Sequence, residues 1–221
     1  MNLQGYFGGQ ISFISFLKAA LTFISWNPMV YRLYKHVRKD RFMMDIESAR
    51  LLIEPITLEE GQMLIKNPME YYYDKHIPYD VEWPHYSLKA LLPYYLEDLE
   101  NGKVSLGMGP WIIRDKRKGR IIGEAGFRAF DEQKKTAELG YRILRKKQNQ
   151  GYATEAVSSL CQWAFYQQIK KIRACCDKEN LASQRVLKKN GFKKVANEKG
   201  ILIYEKRRAV QKKSIQGTNS L

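Results

Sequence analysis

The most constraining feature of the sequence is a β-like run that leads, through a single glycine turn, into an amphipathic helix. Residues 136–144 read as a strand, and the helix opens at Gly151 and extends to Gln168. Its apolar residues recur three or four positions apart: Ala153, Val157, Leu160, Ala164 and Phe165. A strand followed at once by such a helix predicts a layered domain in which helices pack on a sheet.

The remaining pattern predicts a mixed α/β domain of the α+β type. Thr57 starts a capping box for a helix over residues 58–66, and a second helix spans residues 86–100, where Pro93 predicts a kink or a split. Residues 67–84, rich in Pro, Tyr and Asp, read as a loop with at most short helical turns. The other strand-like runs are residues 50–56, 110–114, 120–127, 171–175, 192–197 and 201–206, and a last helix covers 181–190.

Composition restricts the classes of function. The chain has 221 residues, of which 44% are hydrophobic, and this is enough for one well-buried domain. The formal net charge of +15 indicates an anionic partner, but the basic residues form separate clusters at 32–41, 142–147 and 206–213. Because they form no single stripe, we expect no DNA binding, and ribosome association stays open. The three cysteines lack metal-ligand spacing and predict reduced thiols rather than a zinc site or disulfides.

Hydropathy and charge divide the chain into three regions. Residues 1–43 form a hydrophobic and basic N-terminal extension, residues 44–208 the main domain, and residues 209–221 a polar, basic tail. The apolar run 11–31 contains a lysine and is a marginal membrane span. A translation start at the end of the extension, a packed extension and a membrane anchor all remain open.

Residues 148–154, Gln-Asn-Gln-Gly-Tyr-Ala-Thr, carry the first chemical signal. A helix N-terminus leaves its first backbone N–H groups unpaired and partially positive, and a phosphate can satisfy them. Gly151 and the small Ala153 let a ligand approach the backbone, and the basic residues 145–147 attract an anion. The turn lacks the signatures of nucleotide P-loops and dinucleotide folds, so a purely structural glycine is the alternative.

The second signal is Asn180 with Ser183 three residues later. Asn180 follows a strand-like run and is a natural helix cap. A serine hydroxyl beside a thioester sulfur can protonate a departing thiolate, so the pair gains a chemical meaning if such a ligand binds here.

Together these segments resemble the GNAT acetyltransferases, in particular the branch of the ribosomal-protein N-terminal alanine and serine acetyltransferases. The matching segments are Glu138-Leu139-Gly140-Tyr141-Arg142-Ile143, Gln148-x-x-Gly151-x-Ala153, Thr154-Glu155-Ala156 and Asn180-x-x-Ser183-x-x-Val186-Leu187-x-x-x-Gly191-Phe192. The resemblance covers about residues 50–206 and is strongest over 138–192. It implies the GNAT fold, a central mixed and mostly antiparallel sheet flanked by helices.

The resemblance implies acetyl-CoA as the co-substrate and no metal. It assigns the pyrophosphate to the backbone of Gln148, Asn149, Gln150, Gly151, Tyr152, Ala153 and Thr154. It assigns the pantetheine arm to Leu139, Gly140, Tyr141, Arg142 and Ile143, next to a gap between this strand and the next. Asn180 then contacts the pantetheine and Ser183 is the general acid, since Val186 and Leu187 stand where many family members carry a tyrosine.

The general base and the acceptor pocket are less closely defined. Glu138 and Glu124 are the candidates for the base, because both fall on strands that line the expected cleft, and each has an alternative as an exposed strand charge. The aromatic residues Tyr72, Trp83 and Trp111 are candidates for the acceptor pocket, with core packing as the alternative. A protein N-terminus, a polyamine, an aminoglycoside and a small metabolite remain open as acceptors.

The sequence therefore predicts a cytoplasmic N-acetyltransferase, a monomer or homodimer, in which a primary amine attacks acetyl-CoA within a ternary complex. Two other classes remain as alternatives: a GNAT-fold acyl-CoA-binding module without turnover, and a basic ribosome- or RNA-associated protein. Membrane association through residues 11–31 is the alternative localisation.

Overall fold

A computed structural model describes residues 44–209 of the chain. The strands are β1 (Ile46–Glu47), β2 (Leu51–Pro55), β3 (Pro110–Asp115), β4 (Ile121–Asp131), β5 (Thr136–Ile143), β6 (Lys171–Asp177), β7 (Lys193–Glu198) and β8 (Ile201–Arg207). The helices are α1 (Leu58–Lys66), α2 (Pro68–Asp74), α3 (Tyr86–Glu100), α4 (Tyr152–Tyr166) and α5 (Leu181–Lys189), and a 3₁₀ turn covers Arg145–Lys147.

The described strands form one sheet in the order β1-β2-β3-β4-β5-β6-β8-β7. All neighbouring pairs are antiparallel except β5 and β6, which are parallel and are joined in the chain by α4. A parallel pair needs a crossover connection of this kind, because the chain must return to the end of the sheet at which the first strand began. The expected mixed, mostly antiparallel sheet with helices on its faces is confirmed.

The sheet separates two hydrophobic cores. Trp111 and Ile113 on β3 belong to the core that includes α4, whereas Ile112 between them belongs to the core that includes α1 and α3. This division follows from strand geometry, since successive side chains point to opposite faces. Each fully buried side chain of this size contributes about 1.5–3 kcal/mol to stability, so both faces of β3 hold the domain together.

Several predicted elements differ from the structure in instructive ways. The segment predicted as a loop with at most short helical turns contains the 7-residue helix α2, which has Pro68 in its first turn and is capped by the side chain of Asn67. Pro93 does not split α3, which continues unbroken from Tyr86 to Glu100 with Pro93 on its exposed side. The capping box is present as predicted: Thr57 accepts from the Glu60 N–H, and the Glu60 carboxylate accepts from the Thr57 N–H.

The expectations for residues 1–43 and for nearly all of the tail lie outside the described residues, including membrane association through 11–31. Within residues 44–209, no helix is both long and apolar enough to cross a bilayer.

Candidate active site

The sheet opens between β5 and β6. Their parallel ladder joins residues 136–138 to residues 171–173 and ends at Glu138. β5 nevertheless continues to Ile143 along β4, and β6 continues to Asp177 along β8. The C-terminal halves of two neighbouring strands therefore part from each other, and a gap opens through the sheet.

The turn between β5 and α4 presents a row of unpaired backbone donors. Asn149 and Gly151 both have positive φ, 59° and 82°. Within the described part of the chain, no backbone N–H from Asn149 to Thr154 donates to an acceptor, and the first such bond runs from the Glu155 N–H to the Gly151 carbonyl. Six successive N–H groups at a helix N-terminus make a site for an anion.

Gly151 keeps this row of donors accessible. A β-carbon built there would meet only one neighbour, Nη2 of Arg50 at 3.4 Å. The turn is also held from behind, because the Gln148 side chain donates to the Ile143 carbonyl at 2.9 Å. The turn is therefore fixed in position and open on the outside.

Ser48 and Arg50, near the start of the domain, hold the first turn of α4 in place through Glu155. We call this set of contacts the clamp. Arg50 donates from Nε to the Glu155 carboxylate at 2.7 Å and from Nη1 to the Gln150 carbonyl at 3.0 Å, and its guanidinium lies over the Tyr152 ring. The Ser48 hydroxyl donates to the same carboxylate at 2.7 Å. Burial acts to raise the pKa of Glu155, but the hydrogen bonds from Ser48 and Arg50 hold it below its usual value. The carboxylate thus remains charged and able to hold the turn.

A cleft of about 770 Å³ begins at this turn and follows α5. Its walls carry cations at Arg145, Lys147, Arg185 and Lys189. Asn190 joins the two helices that form it, since its side-chain amide donates to the Thr154 carbonyl at 3.2 Å. Fixed N–H donors and cations on one cleft suit a ligand that carries phosphates.

The far end of the cleft is formed by Asn180, Ser183 and Tyr141. The Asn180 side-chain oxygen accepts from the Ser183 backbone N–H at 3.0 Å, which caps α5 and leaves the Ser183 hydroxyl out of the cap. The Tyr141 hydroxyl donates to the Ser183 carbonyl at 3.2 Å. Burial raises the pKa of Tyr141 to about 12, so it stays a neutral donor.

A second cavity, of about 460 Å³, lies on the α3 side of the gap. It shares Tyr141, Arg142, Asn180 and Ser183 with the first cleft, so the two meet where the sheet opens. Two ligands bound on opposite faces of the sheet can therefore reach each other through the gap.

Glu124 lies in this second cavity. Its side chain leaves β4 on the same face as Ile112 and Arg142, its partners in the strand register. The residue is 9% exposed, and its Oε2 atom is buried without a hydrogen-bond partner. Burial raises the pKa of Glu124 to about 7, against the opposing effect of Arg142. Such a carboxyl group can take up a proton near neutral pH.

The other candidates from the sequence lie elsewhere. Glu138 lines neither cavity and forms an ion pair with Arg128 at 2.7 Å. Tyr72 is buried, with its hydroxyl donating to the Asp80 and Trp83 carbonyls, and Trp83 packs against it. Trp111 is fully buried and donates to the Gly107 carbonyl. All three aromatic side chains are core residues of the domain and line neither cavity.

One wall of the second cavity comes from residues that the sequence did not single out: Ser87, Leu88 and Leu91 of α3. Their spacing marks one face of a helix, but only the packing of α3 on the sheet shows that this face borders a cavity rather than the core.

A sheet that opens beside a helix N-terminus with free donors defines the class of this protein. The chain belongs to the GNAT acetyltransferase family, since residues 50–193 match the model described as "Acetyltransferase (GNAT) domain". It is 28% identical over 153 residues to the "Uncharacterized N-acetyltransferase YjdG" of Bacillus subtilis (strain 168), covering 68% of this chain and 90% of that protein.

Solved structures share the fold. One is a putative ribosomal-protein-serine acetyltransferase from Vibrio cholerae, with 16% identity and a TM-score of 0.53 over 75% of this chain and 98% of that chain. Another is RimL, a ribosomal L7/L12 alpha-N-protein acetyltransferase in complex with coenzyme A, with 18% identity and a TM-score of 0.53 over 74% of this chain and 97% of that one. At these identities the likeness establishes the fold alone.

Proposed function

We propose that the protein is an acetyl-CoA-dependent N-acetyltransferase that acetylates a primary amine in a ternary complex. The observation that carries this proposal is the row of six free N–H groups from Asn149 to Thr154. They lie at one end of a cleft whose other end meets the Glu124 cavity. Coenzyme A bound to RimL supports the same ligand in this fold.

The residues around the turn fit coenzyme A. The N–H groups of residues 149–154 bind the pyrophosphate, while Gln148 holds the turn in place. The edge of β5 from Leu139 to Ile143, which has no strand partner on the β6 side, pairs with the pantetheine amides. Acetyl-CoA supplies the acetyl group as an activated thioester.

Glu124 and Ser183 then transfer the protons of the reaction. Glu124 accepts a proton from the acceptor ammonium, which frees the nitrogen lone pair to attack. A backbone N–H on the open edge of β5 stabilises negative charge on the carbonyl oxygen. The C–S bond breaks, and the Ser183 hydroxyl gives its proton to the departing thiolate. The attacking nitrogen then gives up its second proton, which restores the Ser183 hydroxyl and leaves the neutral amide. We assign the base to Glu124 rather than Glu138, whose carboxylate is held by Arg128.

Two structural neighbours are named for the acetylation of ribosomal proteins, so a protein N-terminus is one class of acceptor that this fold serves. We also propose a cytoplasmic location, which agrees with the reduced state of Cys161, Cys175 and Cys176.

The test of the proposal is Gly151→Glu. A carboxylate side chain at a positive φ and beside the donors blocks the turn, so acetyl-CoA binding measured by calorimetry is expected to fall at least about a hundredfold. The matched control is Gly102→Glu, because Gly102 also has positive φ and has open space around it. Equal affinity in both variants contradicts the assigned site, and thiol release across an amine panel tests turnover.

A further inference from the structure

The second cavity, which is the proposed acceptor cavity, is lined by two arginines and one glutamate: Arg128, Arg142 and Glu124. Arg142 lies opposite Glu124 in the strand register and therefore leaves the sheet on the α3 face. Arg142 lines this cavity and also borders the cofactor cleft, so it lies where the two meet. Within residues 44–209 no carboxylate lies within 4.0 Å of it.

Arg142 and Glu124 lie opposite each other in the strand register but are not held together as an ion pair. The carboxyl group keeps a pKa near 7 with Arg142 in place, so the guanidinium does not offset the effect of burial. The two side chains share the cavity without forming an ion pair, and His85, which caps α3, has its pKa lowered by burial and then by Arg142. His85 supplies no negative charge that could offset the charge of Arg142.

A second guanidinium lies along the same wall. Glu138 holds Arg128 at 2.7 Å, and the Arg128 side chain crosses Gly140, where a β-carbon would come within 3.4 Å of Nε. Because Gly140 has no side chain, Arg128 can lie close to the strand at the cavity. Glu138 thus positions Arg128, and this pair adds no net charge.

We propose that the acceptor is a small primary amine that also carries an anionic group, a carboxylate or a phosphate. Glu124 receives the amine, and Arg142 binds the anion. This inference rests on the proposed function and specifies the acceptor for the same site.

The same charges argue against a polycationic acceptor. To bind a polyamine, a cavity needs several carboxylates. Within residues 44–209, Glu124 is the one acidic side chain that lines the acceptor cavity. The volume of about 460 Å³ admits a compound of amino-acid size. A protein N-terminus lacks an anion next to its amine, so we do not favour it here.

The experiment measures thiol release with pairs of amines that differ only in the anion. One pair is an amino acid and its amide, and the other is phosphoethanolamine and ethanolamine. Spermidine and a neutral peptide with an amidated C-terminus complete the panel. We expect kcat/KM to be at least about tenfold higher for an anionic member than for its partner, as a charge-assisted contact to arginine predicts. Preference for the carboxylate or for the phosphate pair identifies the source of the anion.

Variants at two arginines separate this inference from the proposed function. Arg142→Gln is expected to bring the ratio within each pair close to one, and Arg142→Lys to keep part of it. Because Arg142 borders both cavities, acetyl-CoA affinity is measured for both variants, and the ratio within each pair, which does not depend on that affinity, is the readout. Arg185→Gln is the matched control: Arg185 lines only the other cleft, so it is expected to weaken acetyl-CoA binding and to leave the ratio unchanged.

Equal rates within both pairs, a preference for spermidine or the peptide, or an unchanged ratio in Arg142→Gln would overturn the inference while acetyltransferase activity stands. Failure of every amine to release thiol, together with no binding of acetyl-CoA, would remove both the inference and the proposed function.

Discussion

Glu124 is buried with one carboxylate oxygen unpaired, and desolvation is the main cause of its raised pKa, against the opposing effects of Arg142, the Trp83 side chain and the His85 backbone. A carboxylate with an ordinary pKa is a weak base at neutral pH, whereas one near 7 can both accept a proton and release it again. The alternation of β4 places this residue toward the acceptor cavity, while its neighbour Ala125 faces the α4 core.

The raised pKa of Glu124 predicts how the rate of acetylation depends on pH. In the wild type, kcat/KM is expected to rise with pH and to level off above about 7, as Glu124 loses its proton. Glu124→Gln is expected to lose this inflection and to lower kcat about a hundredfold or more. Glu138→Gln serves as the comparison, because it removes the other candidate and leaves the inflection in place. An inflection that persists in Glu124→Gln would assign the base to another group.

The second prediction separates two functions at the start of α5. Ser183→Ala removes the hydroxyl, which takes no part in the cap, so turnover is expected to fall more than acetyl-CoA affinity or stability. Asn180→Ala removes the cap itself and is expected to cost about 1 kcal/mol of unfolding free energy. Kinetics with chemical denaturation of both variants check this, and wild-type turnover in Ser183→Ala removes that residue from the mechanism.

At the scale of elements, the ligand turn depends on the turn between β1 and β2 as well as on its own residues. Arg50 and Ser48 reach the Glu155 carboxylate, so the edge of the sheet and the first turn of α4 are tied together across the structure. A helix N-terminus binds an anion well only if its N–H groups stay aligned, and this clamp keeps them so.

Breaking the clamp is therefore expected to affect both stability and affinity. Glu155→Ala leaves its three donors without their acceptor, and we expect a loss of about 1–2 kcal/mol in unfolding free energy with a several-fold rise in KM for acetyl-CoA. Glu132→Ala is the matched control, since that carboxylate is 81% exposed in a surface pair and is worth little. An unchanged KM in Glu155→Ala shows that the turn holds its shape without the clamp.

The elements differ in how far the sequence predicts them. Helices α1 and α3 have the predicted bounds, because caps and apolar periodicity are local signals. The acceptor wall was not predictable in the same way. Tyr72, Trp83 and Trp111 have the composition of a binding pocket, yet they fill the cores, and only strand register decides which face a side chain joins. The Arg50–Glu155 pair, 105 positions apart, has no local signal at all.

Taken as a whole, the domain uses its sheet as a partition. The cleft of the proposed cofactor lies along α4 and α5, the acceptor cavity lies under α3, and the gap between β5 and β6 is where the two meet. Rigid strands on both sides fix the distance between the two ligands, and this alignment is itself a source of rate enhancement.

The acceptor cavity buries the Glu124 carboxyl group, and this lowers the stability of the folded domain at pH values where the group is ionised. The pKa of Glu124 is raised from 4.5 to about 7 on folding, so the folded state favours the protonated form. Its contribution to stability is complete below pH 4.5 and is lost as the pH rises through 7. Glu124→Gln, which resembles the protonated form, is therefore expected to be more stable than the wild type at pH 8 by up to about 3 kcal/mol.

This difference is expected to shrink by about 2 kcal/mol at pH 5, where Glu124 is protonated in the folded state. Urea denaturation of both proteins at the two pH values measures it. Glu54→Gln is the control, because Glu54 is a carboxylate of the same sheet that is paired with Arg114 at 3.0 Å. A stability difference that stays constant between pH 5 and pH 8 means that Glu124 is ionised throughout, and the carboxyl group then lacks the proton affinity that its role as base requires.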